Sequence, residues 1–359
     1  MRVCLCPSVG RRRGMPARAL ITGGSGYFGC VLRDRLRAAG VAVRVFDLVD
    51  ADDRPSDVEF AAGDIRALDA IGAACDGVEV VYHNVAQVPL AKNRALFWSV
   101  NCGGTENVLQ AARAARVRKV VHTSSSAVFG IPSKNPVDDS VAPRPLEAYG
   151  QAKLEAERLV EQAVRRHGLD VTIIRPRTIV GHGRLGIFQI LFDWVEDGRR
   201  IPVLGSGDNL YQFVHADDLA DACLKAAARP GAAVYNIGAE RFGTMRETLQ
   251  ALCTHAGTGS TVYALPMRLA VAAMQLTSAL RLSPLGPYHA LMYGRSLYFD
   301  IARPRIELGW HPRWSNDEMI CESYDWYLAH KDQALRWTGA SAHRSAVKQG
   351  ILKLVKQLS

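Results

Sequence analysis

Between Arg18 and Arg175, short β-rich runs alternate with longer stretches whose apolar residues recur at helical spacing. The β-rich runs are Ala19–Thr22, Val41–Phe46, Val58–Phe60, Val78–Tyr82, Val117–Thr123 and Val171–Ile174. The helical stretches include Val31–Ala39, Ala95–Ala115 and Glu147–His167. This alternation predicts an α/β protein, a Rossmann-type doubly wound parallel sheet with helices on both faces. Beyond Arg175 the chain becomes richer in loops, with glycines at 181, 183, 186, 198, 205 and 207. A smaller, mostly C-terminal substrate lobe is expected over 176–335, with Tyr211–Ala227 and Val234–Ile237 returning to the sheet. The core is expected over 15–175, preceded by a basic extension (1–14) and followed by a basic amphipathic tail (336–359).

Composition narrows this picture. The 359 residues are 48% hydrophobic, enough for a sizeable core and incompatible with a disordered or fibrous chain. The net charge of +9 suggests an acidic partner until its location is considered. Each end, 1–14 and 341–359, carries four basic residues and no acid, leaving the body with +1. A nucleic-acid partner is therefore not expected. The eight cysteines are scattered with no C-x-x-C pair, as in a reduced, cytoplasmic protein without a zinc cluster. Arg11, Arg12 and Arg13 follow an apolar stretch instead of preceding one, unlike a secretory signal. No apolar run reaches the roughly 18 residues of a spanning helix. Ala264–Leu280 comes nearest and reads as a buried or amphipathic helix. In the tail, Ile351, Leu354, Val355 and Leu358 share a helical face, a candidate for peripheral contact with the inner face of a membrane.

Candidate chemistry begins where the first strand meets the first helix, at Thr22-Gly23-Gly24-Ser25-Gly26-Tyr27-Phe28-Gly29. Gly23, Gly26 and Gly29 permit a tight turn, close approach to a pyrophosphate and close helix–strand packing. The helix N-terminus adds unpaired N–H groups and a favourable dipole. Eighteen residues after Gly29, Asp47 ends the second strand, where a carboxylate accepts ribose hydroxyls and repels a 2′-phosphate. NAD is the expected cofactor; Arg44 and Arg54 nearby leave NADP as the second reading. Tyr149 and Lys153 stand four apart at the start of a long helix, which puts phenol and ammonium on one face. A lysine so placed is expected to lower the phenol pKa and to bind the nicotinamide ribose. Ser124-Ser125-Ser126 leaves the fifth strand at the carboxyl edge, where a hydroxyl can hold a substrate oxygen beside Tyr149.

Over roughly 17–330 the chain resembles the extended short-chain dehydrogenase/reductase family. The resemblance rests on the glycine loop, Gly63-Asp64-Ile65-Arg66, His83-Asn84-Val85-Ala86 and Asn101-Cys102-Gly103-Gly104-Thr105. It continues through Ser124–Gly130, Tyr149/Lys153, Arg175-Pro176, Phe213–Asp218 and Glu307-Leu308-Gly309-Trp310. It implies an NAD-dependent enzyme in which Ser125 is the catalytic serine, Tyr149 the acid/base and Lys153 its partner. Tyr27, Phe28, Asp64, Ile65, Asn101 and Pro176 fall on cofactor-binding positions. A homodimer is also implied.

Departures from the family pattern bear on the substrate. Sugar-nucleotide dehydratases of this type carry an Asp-Glu pair where this chain has Ser126 and Ala127, which disfavours elimination of water. Many nucleotide-sugar epimerases hold the substrate diphosphate with an arginine where this chain has Tyr211. A phenol does not replace a bidentate cation, although Arg177, Arg184, Arg199 or Arg295 could stand in. Tyr211, Phe129 and the apolar segment from Leu265 through Met292 favour a ring alcohol of the 3β-hydroxysteroid or sterol type. Nucleotide-sugar epimerisation is the alternative, and a non-catalytic NAD-binding protein ranks lower because serine, tyrosine and lysine are all present. A carboxylate beside the oxidised carbon would leave as CO2 with no additional catalytic residue. No metal is expected, and His182 and His215 read as loop or hydrogen-bonding residues.

Overall fold

A computed structural model describes residues 15–87, 94–268, 271–272 and 293–336. The elements run β1 (Arg18–Thr22), α1 (Tyr27–Ala38), β2 (Ala42–Asp47), β3 (Glu59–Ala62), α2 (Leu68–Cys75), β4 (Val80–His83) and α3 (Arg94–Trp98). A π turn, Ser99–Gly103, leads into α4 (Gly104–Ala114) and β5 (Lys119–Thr123). Then follow a 3₁₀ turn (Ser126–Phe129), α5 (Ala148–His167), β6 (Val171–Pro176), β7 (Thr178–Val180), α6 (Ile187–Glu196), β8 (Ile201–Leu204) and β9 (Phe213–His215). The remaining elements are α7 (Ala216–Ala228), β10 (Ala233–Ile237), α8 (Met245–Ala256), β11 (Val262–Leu265), α9 (Ala302–Leu308) and α10 (Asn316–Arg336).

Seven parallel strands form one sheet in the order β10-β6-β5-β4-β1-β2-β3. Strands covered on both faces read as unbroken apolar runs, and their alternate side chains supply two separate cores. Ile21, Val45, Tyr82 and Val121 pack with α1 and α7, whereas Leu20, Phe46, Val81 and Val120 pack with α2, α4 and α5. A third core, from Phe188, Phe192 and Trp194 to Tyr324 and Tyr327, belongs to the later segments. The strand order reverses between β1 and β4, so their carboxyl ends open a crevice there.

Of the two segments expected back in the sheet, Val234–Ile237 does return, as β10 beside β6. Tyr211–Ala227 instead pairs β9 with β7 in a separate two-stranded ribbon and then forms α7, packed on α1. Of Ala264–Leu280, Ala264 and Leu265 belong to β11 and pair with β8, while Met267, Arg268, Val271 and Ala272 are helical as expected. Most of the rest of that stretch, most of Leu265–Met292 and both charged ends lie outside the described residues. Among the described residues, no helix is long and apolar enough to cross a membrane, and the six cysteines are free thiols.

Candidate active site

The glycine loop is shaped by contacts that admit no side chain. A Cβ on Gly29 would lie 2.2 Å from the Gly23 carbonyl oxygen, and Gly23 itself has φ +70° against the Val85 backbone. Gly26 caps α1 and donates its N–H to the Gly23 carbonyl at 3.1 Å. Asp47 lies alongside, accepting from the Ser25 N–H at 3.1 Å and the Leu48 N–H at 2.8 Å. Burial raises its carboxyl pKa, and these two donors pull it back. The Ser25 hydroxyl and the Asn84 amide nitrogen are buried here without a hydrogen-bond partner. A phosphate and ribose would meet these groups, so the residues present fit a dinucleotide. Arg44 is engaged by Glu59 and the carbonyls of Ala74 and Asp76, and Arg54 by Asp50 and the Val58 carbonyl. Both arginines are thus engaged by groups of the chain itself.

The other expected cofactor positions divide in role. Tyr27 and Phe28 are buried at the start of α1, with the Arg184 guanidinium 5.3 Å from the Tyr27 ring centre. Asp64 is paired with Arg66, and Ile65 fills the space left by Gly104, where a Cβ would come within 2.7 Å of it. Asn101 lies in the π turn and pins the β4 exit, accepting from Gln87 N–H at 2.8 Å and donating to its carbonyl at 3.3 Å. Pro176 ends β6 opposite Ile237. The helix expected over Ala95–Ala115 runs unbroken from Arg94 to Ala114 and widens into a π turn at the residue that performs this pinning.

The three serines after β5 serve three partners. Ser124 donates to Glu157 at 2.5 Å, in a buried network closed by the bidentate Arg175 guanidinium. Ser125 shares a hydrogen bond with the Tyr149 phenol while accepting the Ala127 N–H at 3.1 Å. Ser126 accepts from Arg177 at 2.9 Å. Tyr149 reaches Ser125 because Gly150 lets the first turn of α5 settle on the 3₁₀ turn; a Cβ there would stand 2.4 Å from the Ala127 carbonyl oxygen. Glu147 caps the same turn, accepting from Tyr149 and Gly150 N–H groups at 2.8 and 2.6 Å. Lys153 is buried one turn on and donates to the Thr123 carbonyl at 2.8 Å.

The electrostatics differ from the sequence expectation. Burial pushes the Tyr149 phenol up to about 12, against the pull of the Ser125 hydrogen bond and the Arg184 charge. Burial also brings Lys153 down to about 8, opposed by Glu157 and Cys102. Arg184 is thus a cation that acts on Tyr149, a residue reached by no local spacing. It rides on the loop Gly181-His182-Gly183-Arg184, which is tied to α10 twice: Gly181 N–H donates to the Ser323 hydroxyl at 2.9 Å, and His182 meets Glu322.

Glu322 brings His182 and His215 together, at 3.4 and 3.5 Å, in a cluster that local spacing could not disclose. Burial would raise the Glu322 carboxyl, but the two histidines hold it down at about 2, and Glu322 in turn raises His182. His215 Nδ1 accepts the Asp217 N–H at 3.2 Å and so caps α7, which leaves the ring proton on Nε2 facing Glu322. A metal ion at Nε2 would have to displace that proton and deprive the Asp217 amide of its acceptor. The triad therefore acts as an electrostatic clasp between the His182 loop, α7 and α10.

A parallel sheet with a glycine loop at its switch point, a carboxylate ending the second strand and a Ser/Tyr/Lys group fits an NAD-dependent enzyme of the extended short-chain dehydrogenase/reductase type. Residues 19–238 match the model of the NAD dependent epimerase/dehydratase family, and the chain belongs to that family. It is 53% identical to the uncharacterized protein y4nG of Sinorhizobium fredii, over 94% of this chain and 85% of that one. Human sterol-4-alpha-carboxylate 3-dehydrogenase, decarboxylating, is 33% identical over 58% of this chain and 57% of its own length. The UDP-glucose 4-epimerase structure from Thermotoga maritima shares the fold with a TM-score of 0.75, at 21% identity over 88% of this chain and 99% of that one.

Proposed function

We propose that this enzyme oxidises a secondary alcohol on a ring to a ketone, with a substrate of the 3β-hydroxysteroid or sterol type. The observation that carries the reading is the Ser125–Tyr149 hydroxyl pair, backed by Lys153, in a chain whose neighbouring lobe supplies aromatic rings in place of a phosphate-binding arginine. Tyr211 and Tyr293 stack with ring centres 5.4 Å apart, and Phe213 meets Tyr211 edge-on at 4.9 Å. Tyr211 and Phe213 lie in the buried core, and Tyr293, partly exposed, is the ring of this group that would meet an apolar ring system. The sterol dehydrogenase relative supports the same substrate class.

In this mechanism Ser125 orients the alcohol and Tyr149 receives its proton. NAD, when bound, supplies the hydride acceptor and a positive ring. Proton removal by Tyr149 requires the phenolate, so cations near it matter: Arg184 acts on it directly, and Lys153, one turn away, adds an ammonium below about pH 8. Gly23, Gly26 and Gly29 seat the pyrophosphate, and Asp47 receives the ribose hydroxyls.

Nucleotide-sugar epimerisation is the second reading, favoured by Arg177, whose guanidinium lies 4.6 Å from the Tyr211 ring centre. The two part in one experiment. With NAD, 3β-hydroxysterols should yield NADH and nucleotide sugars should yield neither NADH nor isomer. Interconversion of sugar isomers without net NADH, together with inert sterols, would replace the first reading by the second.

A further inference from the structure

Arg177 is 1% exposed, one of the largest fully buried side chains of the protein. Two of its nitrogens have neutral acceptors: Nε donates to the Gln212 carbonyl at 3.1 Å and Nη1 to the Ser126 hydroxyl at 2.9 Å. Nη2 is buried with no hydrogen-bond partner. Among the described residues no carboxylate forms an ion pair with Arg177, and the residues outside that description contain no Asp or Glu. The guanidinium lies instead against two ring faces, Tyr211 at 4.6 Å and Phe299 at 5.7 Å. A buried cation held by rings and neutral oxygens, with one donor unused, is costly unless an anion completes it.

Its location says which anion. Nη1 is tied to Ser126, the residue after the serine that meets Tyr149, and Nη2 sits on the same carbon as Nη1. Tyr293 stacks on Tyr211 and feels the charges of both Arg177 and Arg184, so two guanidinium groups flank the aromatic wall beside the Ser125–Tyr149 pair. The ring of Tyr211, the position where many nucleotide-sugar epimerases carry an arginine, is covered by this guanidinium from the junction of β6 and β7.

We propose that Arg177 is the receptor for an anionic oxygen on the substrate, placed within a guanidinium's reach of the ring hydroxyl that is oxidised. The inference rests on the ring-alcohol reading above and deepens it. The preferred substrate is then a hydroxy acid or its phosphorylated counterpart, bound more tightly than the corresponding neutral alcohol. Planar, forked donors recognise a carboxylate or phosphate edge in a way that lysine does not reproduce.

Calorimetric titration of the full chain saturated with NADH tests this without relying on turnover. The probes are a 4-carboxy-3-hydroxysteroid, its methyl ester, and UDP. The wild-type protein should bind the acid at least roughly tenfold more tightly than the ester. Arg177→Met should abolish that preference while NADH affinity is retained, and Arg177→Lys should restore only part of it. Tighter binding of the steroid acid assigns a ring carboxylate. Tighter binding of UDP, with the same dependence on Arg177, assigns a diphosphate. Equal binding of acid and ester by the wild-type protein overturns the proposal, as does a preference that survives in Arg177→Met. If Arg177→Met does not fold, the wild-type comparison and Arg177→Lys decide the matter. Failure of every ring alcohol to yield NADH would sink the dehydrogenase reading alone, since the acid-over-ester preference is read as heat.

Discussion

The cofactor half and the substrate half of this molecule are specified by different physics. Around β1, α1 and β2 the positions that matter are set by backbone sterics within a short stretch of chain. Gly29 stands six residues from the carbonyl that forbids it a side chain, and Asp47 is oriented by the backbone N–H groups of Ser25 and its own neighbour Leu48. Around β6, β7 and α10 the positions that matter are set by side chains far apart in sequence: Arg177 with Ser126, and His182 and His215 with Glu322. A local rule carries a local pattern, whereas a remote pairing leaves no spacing to read. The first half is therefore built for a shared ligand, and the second carries what is particular to this chain.

The sharpest test of that contrast lies where the halves meet. Tyr149→Phe removes one oxygen at the junction and should lower turnover by about a thousandfold while leaving NAD affinity intact. Turnover close to wild type in steady-state assays would remove Tyr149 from the chemistry. Within the cofactor half, Gly29→Ala should cost about 3 kcal/mol of stability, because the obstructing atom is backbone and cannot rotate away. Its control, Gly72→Ala, meets nothing within 4 Å in α2 and should instead gain roughly 0.5–1 kcal/mol. Equal melting shifts for the two glycines would break the steric account.

Smaller effects probe one half at a time. Asp47→Ala should weaken NAD by roughly tenfold and narrow its advantage over NADP, measured by fluorescence titration with each dinucleotide. An unchanged preference would show that the carboxylate does not meet the ribose. In the substrate half, the Glu322 clasp raises the His182 pKa. A raised histidine contributes stability that is complete below its unfolded range and is lost as pH climbs through the folded value. Glu322, held at about 2, stays charged across that window, and its own contribution fades as pH falls from about 4.5 to about 2. His182→Asn should accordingly cost about 0.5 kcal/mol at pH 6, the size of a half-exposed pair, and nothing at pH 9. Parallel melting curves for the two proteins across that range would refute the clasp.

How much of this could be read from the chain follows the same division. All six strands expected before Arg175 are present within a few residues of their expected ends, because the inner strands are covered on both faces and rich in apolar residues, while edge strand β3 is marked only by a short β-rich run. The π turn at Ser99–Gly103 was invisible, since one extra residue in a helix barely disturbs its apolar periodicity. Ser125 was distinguishable from Ser124 and Ser126 only by resemblance; three adjacent hydroxyls look alike until Glu157, Tyr149 and Arg177 arrive from elsewhere. Lys153 was expected to lower Tyr149, yet burial dominates both groups, and burial is a property of the packed molecule.

Periodicity, the glycine loop and the order of short motifs thus determined the sheet, the cofactor class and the candidate pair Ser125 and Tyr149, because each depends on residues close together or on steric rules indifferent to the rest of the chain. Tertiary structure alone decided which arginine attends the aromatic wall, that Glu322 links two histidines, and which way each buried group titrates. Those outcomes depend on distance in space and on removal from water, and neither is written along the chain.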